Sequence, residues 1–302
     1  MRVTTAQSFD RPSLLMASLN SQADRLQTQV ATGKKILAPS DSASGWQRLS
    51  GLKRATADDG AYTSNVKMAQ SLLAATDTAL ETVETQLQRA KTLAVQANSD
   101  TVTPEGRAAI LKDVQAIIAD LLGVANTKDS RGQPLFGGAA GDSAYARQPD
   151  GSIAYVGQGE AATIPVGEGV DIAATETGAR AFGGIAGANG TTDMFAILSA
   201  FAAALEPGGE AGGIETAMKD LDAALDQVGT TRASVGARAF RMDLEADRLT
   251  DADAARETTR SGIEDVNPAT AIAELQKTLT ILQATQASFS KLTSLSLFDY
   301  IR

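Results

Sequence analysis

Two serine–lysine pairs, Ser64 with Lys67 and Ser288 with Lys291, have the three-residue spacing that lets an amine activate a hydroxyl for acyl transfer. That chemistry needs further partner motifs, and the chain has none of them. Asp220-x-Asp222 and Asp251-x-Asp253 could gather a cation. Residues two apart on a helix point different ways, however, and no glycine-containing calcium loop follows either pair. Gly157-Gln158-Gly159 reads as a turn, because neither G-x-G-x-x-G nor G-x-x-x-x-G-K-[ST] is present. Two carboxylates for glycoside hydrolysis would need a cleft between them, and the pattern suggests no cleft-forming fold. Trp46, alone in a polar stretch, suits a packing anchor as well as a contact residue.

Composition narrows the chemistry further. The 302 residues contain no His and no Cys. Imidazole bases, thiolate nucleophiles, disulfides and imidazole- or thiolate-ligated metals are therefore absent. We assign no catalytic, cofactor or metal residue and do not read the chain as an enzyme. With 27 Lys and Arg against 36 Asp and Glu, the formal charge is −9. Nucleic acid, which requires clustered cations to displace phosphate counterions, is not an expected partner. Residues 1–26 hold Arg2, Asp10, Arg11, Asp24 and Arg25 and no long apolar run, so neither a Sec-type signal nor membrane insertion is expected. Aromatics make up only 4% of the chain, which suits long helices packed side by side better than a ring-filled core.

Glycine divides the chain into three. Residues 1–131 hold 6, residues 132–213 hold 18 and residues 214–302 hold 3. Helical periodicity dominates both ends. Over residues 63–98, Val66, Leu73, Leu80, Leu87 and Ala94 recur every seven positions, with Ala69, Thr76, Val83, Ala90 and Ala97 three residues behind. This is an a/d seam, with Gln70, Asp77, Glu84, Gln88 and Lys91 on the outer face. Thr103 and Pro104 then signal a helix start, and the stripe Ile110, Val114, Ile117, Ile118, Leu121 and Leu122 runs to about Asn126. In the middle, 152–156 and 162–166 read as short strands, Pro165 placing the second at an edge, and 194–205 reads as a helix. Helix resumes at Ile214. Gly229-Thr230-Thr231 is expected to interrupt it, and a charged helix of mixed sign follows over 232–261.

The termini mirror one another. Leu15, Leu19, Leu26 and Val30 share one face. After a capping Asn267 and Pro268, Ile272, Leu275, Leu279, Leu282, Gln286 and Phe289 form a heptad row that Leu292 and Leu295 continue. Each stripe is too narrow to be buried alone, so each terminus is expected to need the other, and then further copies of the chain. Residues 1–60 hold 8 basic and 5 acidic groups and residues 214–270 hold 7 and 12, an asymmetry that weakly favours lateral association. The expected fold is mainly α, an elongated antiparallel bundle or coiled coil built by both termini, with a small, mostly β domain inserted. The expected division is 1–45 with 262–302 for assembly, 46–131 with 214–261 as helical body, and 132–213 as the insert.

Short motifs add a resemblance. Residues 26–41, from Leu26 through Gly33, Lys34, Ile36, Pro39, Ser40 and Asp41, are similar to the "helix, Gly-Lys-basic-Ile, Pro-Ser-Asp" turn of the flagellin superfamily, except that Ser42-Ala43 stands where the family has Asp-Pro. Pro134-Leu135-Phe136-Gly137 is similar to its Leu-Phe-Gly turn. Ser261-Gly262-Ile263-Glu264-Asp265 is similar to the signature opening its last helix. The ending Leu297-Phe298-Asp299-Tyr300 resembles the superfamily's hook–filament junction branch more than filament flagellins. The resemblance covers about 1–138 and 214–302. It implies a structural subunit of the adaptor layer between hook and filament, exported through the flagellar channel to the cell exterior. Implied partners are further copies of the chain, the other junction protein, flagellin and a cytoplasmic export chaperone. A small filament flagellin, or a surface protein binding glycans or receptors through the insert, are the alternatives.

Overall fold

The computed structural model describes residues 5–99, 101–139, 143–210 and 212–300, and their side chains from 10 to 291. In chain order the elements are α1 (Thr5–Thr32), α2 (Ala43–Ala97), α3 (Pro104–Ala125), β1 (Tyr145–Arg147), β2 (Ile153–Tyr155), β3 (Thr163–Gly167), β4 (Val170–Ala173), α4 (Gly178–Ala181), β5 (Ile185–Gly187), β6 (Gly190–Thr192), α5 (Met194–Leu205), α6 (Gly213–Glu264) and α7 (Pro268–Tyr300). The protein is thus mainly helical, with a central region of short antiparallel strands. The chain forms two compact units, Met1–Asp58 with Ala252–Arg302, and Asp59–Asp251. Helices α2 and α6 contribute residues to both.

In the second unit all ten residues of the seam over 66–97 are buried, the largest being Leu73, Leu80 and Leu87. Thr76 joins them because its hydroxyl donates to the Leu72 carbonyl at 2.8 Å, leaving its methyl for packing. Helix α3 begins and ends where Thr103 and Asn126 predict. Thr103 Oγ1 accepts from Gly106 N–H at 3.1 Å. The Asn126 side chain ties the end of α3 to β1: Nδ2 donates to the Leu122 and Tyr145 carbonyls, and Oδ1 accepts from Ala144 and Tyr145 N–H.

The strands form three separate antiparallel hairpins, β1–β2, β3–β4 and β5–β6. The segments expected at 152–156 and 162–166 are β2 and β3. Pro165 fits because a two-stranded sheet consists only of edges, and the register shifts between Pro165 and Gly167. The other four strands are three or four residues long, too short for alternation to reveal. Four rings gather over these hairpins: Phe136 and Phe195 lie 4.8 Å from Phe182 and 4.9 Å from Tyr145 respectively, and Tyr145 lies 6.1 Å from Phe182. Four of the thirteen aromatic residues of the chain thus share one small core. Buried Glu176 joins it to α6 by accepting from Arg238 at 2.7 Å.

Two expectations are corrected. Helix α2 starts at Ala43, twenty residues before the heptad pattern, because Ser42 Oγ accepts from Gly45 N–H at 3.1 Å and caps it. Helix α6 passes unbroken through Gly229-Thr230-Thr231. One helical glycine costs only about 1 kcal/mol, and the face of Leu221, Ala224, Val228, Thr231 and Val235 stays buried across it. The outer face assigned to α2 is also partly covered. Arg232 of α6 reaches Asp77, Glu81 and Glu84 at 2.9–3.1 Å, and Lys91 pairs with Asp222.

Candidate assembly site on the paired terminal helices

The first unit is built on α1 and α7, which run antiparallel. Gly33, just after α1, has φ +72°, a conformation that costs glycine little and lets the chain leave the helix sharply. The backbone then pairs with the segment before α7. Val266 N–H donates to the Gly33 carbonyl at 2.9 Å and Lys35 N–H donates to the Glu264 carbonyl at 2.7 Å. At the other end of the seam, Pro12 and Leu15 share a shallow cleft of about 250 Å³ with Thr285 and Phe289.

The signature residues converge at this bridge. Lys34 Nζ lies 2.7 Å from Glu264 Oε1, and Arg260 donates to Glu264 Oε2 at 2.5 Å. Glu264 is buried. Hydrogen bonding from Lys34, then from Arg260, holds its carboxyl below the usual glutamate range. Asp265 accepts from the Ser261 hydroxyl and pairs through its backbone with Lys34. Asp41 Oδ2 accepts from both Leu37 and Ala38 N–H at 2.9 Å, which lowers its pKa and closes the turn after Ile36. Ile36 is buried against Gly45, where an added Cβ would meet Ile36 Cδ1 at 2.4 Å. Pro39 and Ser40 form the exposed tip. Gly33, Lys34, Ile36, Asp41, Glu264 and Asp265 therefore form one structure from two distant stretches. Arg260, Ser42 and Gly45 belong to it and were not picked out. Their signals were a basic residue four before Glu264, and a capping serine followed by a small residue.

The expected assembly residues divide in two. Leu19, Leu26 and Leu282 are buried between α1 and α7, and Val30, Leu275 and Phe289 are half-buried there. Leu15 is 52% exposed, Ile272 42% and Leu279 41%. The row of α7 facing α1 is Ala271, Leu275, Thr278, Leu282, Thr285 and Phe289, one residue out of phase with the expected row at three of its six positions, Ile272, Leu279 and Gln286. The bridge at Gly33–Lys35 sets the rotation of α7. Thr278 tolerates burial because its hydroxyl donates to the Glu274 carbonyl at 2.8 Å. Leu14 and Ile281, not anticipated, add to the exposed apolar surface. The side chains of Leu292 and Leu295 lie outside the described residues.

None of the candidate chemical groups converges. Ser64 donates to its own helix at the Gly60 carbonyl (3.0 Å), and Ser288 and Lys291 are exposed on α7. Asp220 accepts from Ala188 N–H at 2.7 Å while Asp222 pairs with Lys91. Among the described residues no three His, Cys, Asp or Glu side chains could hold a metal ion, and no helix is long and apolar enough to cross a membrane. Trp46 is half-buried, with Lys53 Nζ 5.9 Å from its ring centre. What the site offers is a hydrogen-bonded, ion-paired hinge supporting two helices that keep large apolar side chains in water.

Comparison with known proteins finds matches at both helical ends of the chain. Residues 11–140 match the family model of the bacterial flagellin N-terminal helical region, and residues 218–301 match that of the C-terminal helical region. Flagellar hook-associated protein 3 of Escherichia coli (strain K12) is 27% identical over 299 residues, 93% of this chain and 94% of that protein. Its counterpart in Salmonella typhimurium (strain LT2) is 25% identical over 321 residues and spans all of both. The crystal structure of flagellar hook-associated protein 3 from Legionella pneumophila shares the fold, with a TM-score of 0.65 at 14% identity over 70% of this chain and 98% of that one.

Proposed function

The chain belongs to the flagellin family, and from that premise we propose that it is a structural subunit of the bacterial flagellum, forming the adaptor layer between hook and filament. The observation that carries this is the pair α1–α7 leaving Leu14, Leu15, Ile272, Leu279 and Ile281 exposed after its own seam has closed. Rows of large side chains on a two-helix hairpin are poorly served by a single copy. Each such side chain, 41–69% exposed, gains about 1 kcal/mol when a neighbour covers it, roughly half the value for burying one outright. The mechanism is polymerisation through these ends, with 1–45 and 262–302 as the assembly region, 46–131 and 214–261 as the body, and 132–213 as an accessory insert. Full-length similarity to proteins named for the hook supports this reading over that of a filament flagellin. Export through the flagellar channel places the subunit outside the cell. Its neighbours are further copies, the other junction protein and flagellin, with a cytoplasmic chaperone holding it beforehand. No reaction is assigned to it.

Deleting the gene and imaging the cells tests the proposal. Hooks without filaments, with flagellin shed into the medium, are expected. Filaments of normal length in the deletion strain would refute it, and a filament composed mainly of this chain would make it a flagellin.

A further inference from the structure

The hairpin β5–β6 carries an asparagine followed by glycine at its tip, the pair in which a side-chain amide and the next backbone nitrogen meet with least obstruction, because glycine has no Cβ. Ala188 and Asn189 form the two-residue turn, and Gly190, which opens β6, has φ +115°. Asn189 and Gly190 are both exposed. A Cβ added at Gly190 would meet nothing within 4 Å, so no other residue crowds this side of the turn. Strands of three residues open easily at the tip, which frees the Gly190 nitrogen to approach the side chain. The other asparagines are each held away from this geometry. Asn20 lies within α1, where the helix ladder engages the following N–H. Asn65 lies within α2 and donates to the Pro165 carbonyl at 2.7 Å. Asn98 is followed by Ser99, whose N–H donates to the Gln96 carbonyl at 3.2 Å. Asn126 is fully engaged between α3 and β1. Asn267 precedes Pro268, which has no N–H. Asp150-Gly151, the aspartyl counterpart, is clamped, because Asp150 Oδ1 accepts from both the N–H and the hydroxyl of Ser152 at 2.9 and 2.6 Å. The Asn189 amide makes no side-chain hydrogen bond among the described residues.

We propose that Asn189 is a self-modification site, at which the Gly190 nitrogen displaces the side-chain amide and converts the hairpin tip from neutral to anionic. The deprotonated Gly190 nitrogen attacks Asn189 Cγ. A C–N bond forms, the Cγ–Nδ2 bond breaks, and the amide nitrogen leaves as ammonia after taking up a proton. The product is a five-membered succinimide. Water then opens the ring at either carbonyl. Opening at Cγ restores the ordinary main chain as aspartate. Opening at the Asn189 main-chain carbonyl gives isoaspartate, whose main chain runs through Cβ and Cγ. Water is the only co-reactant, and nothing is oxidised or reduced. The position gives the change a structural consequence. Ala188 N–H donates to Asp220 Oδ1 of α6 at 2.7 Å, which ties the turn to the helix. A new carboxylate one residue away repels Asp220, and isoaspartate lengthens the turn as well. The base of the hairpin is independent of this tie: Ile185 is buried and Met194 N–H donates to the Phe182 carbonyl at 2.8 Å. The reaction thus releases the tip from α6 and leaves the rest of the fold in place. This inference does not rest on the proposed role in the flagellum.

Incubation of the folded, full-length protein in mildly alkaline buffer, followed by peptide mapping with mass spectrometry, tests it. Residue 189 is expected to change before any other asparagine, with ammonia released and with aspartate and isoaspartate peptides both present. Asn189→Gln, which would need a larger ring, should abolish conversion at this position; circular dichroism matching that of the parent would show that the variant folds. Asn189→Asp, which installs one product directly, should lose hydrogen-exchange protection at Ala188 and keep it at Met194. The proposal is overturned if Asn189 survives intact while Asn20 or Asn98 reacts, or if Asn189→Gln releases ammonia from position 189 as fast as the parent. Aspartate without isoaspartate would also overturn it, since that outcome marks direct hydrolysis rather than ring closure. Unchanged protection at Ala188 in Asn189→Asp, and in the isoaspartate form, would overturn the release from α6.

Discussion

Lys34 and Glu264 are 230 positions apart in the chain, and their side chains meet at 2.7 Å. The contact closes a short backbone bridge between the end of α1 and the start of α7. Glu264 is buried, whereas the Lys34 side chain keeps 43% of its surface in water. The pair therefore lies between the exposed ion pairs that contribute little and the buried ones that are costly to break.

Replacing Glu264 with Gln should lower the unfolding free energy by about 1–2 kcal/mol, because Lys34 and Arg260 both lose a charged acceptor. Urea unfolding of the full chain measures this. A change no larger than that of a surface Glu→Gln control would show that the bridge is held by its backbone bonds alone.

Acid should loosen the same hinge. The carboxyl of Glu264 is depressed in the folded state, so its contribution is fully present above the unfolded value of about 4.3 and is lost as pH falls through the folded value. Asp41 and Glu257 are depressed too, by two backbone N–H donors and by Arg260 respectively. Melting temperature should therefore fall below about pH 4, and fall less steeply in Glu264→Gln. Identical slopes in the two proteins would contradict this assignment.

Glycines 45 and 51 should respond oppositely to substitution. A Cβ at Gly45 would strike Ile36 Cδ1, whereas at Gly51 it would meet nothing. Gly45→Val should destabilise by about 1–3 kcal/mol through overpacking. Gly51→Ala should stabilise by about 0.5–1 kcal/mol through helix propensity. Thermal unfolding of the two variants decides the matter.

Ile272→Ser combined with Leu279→Ser should leave the isolated subunit folded, since both side chains are exposed. It should prevent filaments from forming on hooks. Complementation of a deletion strain, scored for motility and by electron microscopy, reads this out. Normal swimming would remove the exposed row from the assembly surface.

Limited proteolysis of the dilute protein should cut first within α1 and α7, losing about the first 40 and last 35 residues. Two helices sharing one seam bury little apolar surface per residue, so their opening costs less than that of the body. Initial cleavage confined to 132–213 would count against this.

Much of the helical architecture was legible because heptad spacing encodes which side of a helix is buried. The ten seam residues over 66–97 and the caps at Thr103 and Asn267 were read from local pattern, and each occupies the place expected. The short strands β1, β4, β5 and β6 escaped because three or four residues hold no period. Continuity of α6 through Gly229 escaped because packing against α2, rather than propensity, decides it.

In the hinge, Gly33 was readable from local backbone chemistry, whereas Lys34, Asp41, Glu264 and Asp265 stood out only through the motif resemblance, because an ordinary polar loop carries the same residue types. That Lys34 and Arg260 share one carboxylate was settled only in three dimensions, because an ion pair between distant positions leaves no mark on the spacing of either. The same holds for the rotation of α7. Its sequence carries two overlapping rows of apolar and small residues, and either could face α1. The backbone bridge at Gly33 selects the row with Ala271 and Thr278, and in doing so leaves Ile272 and Leu279 in water, where another molecule can reach them.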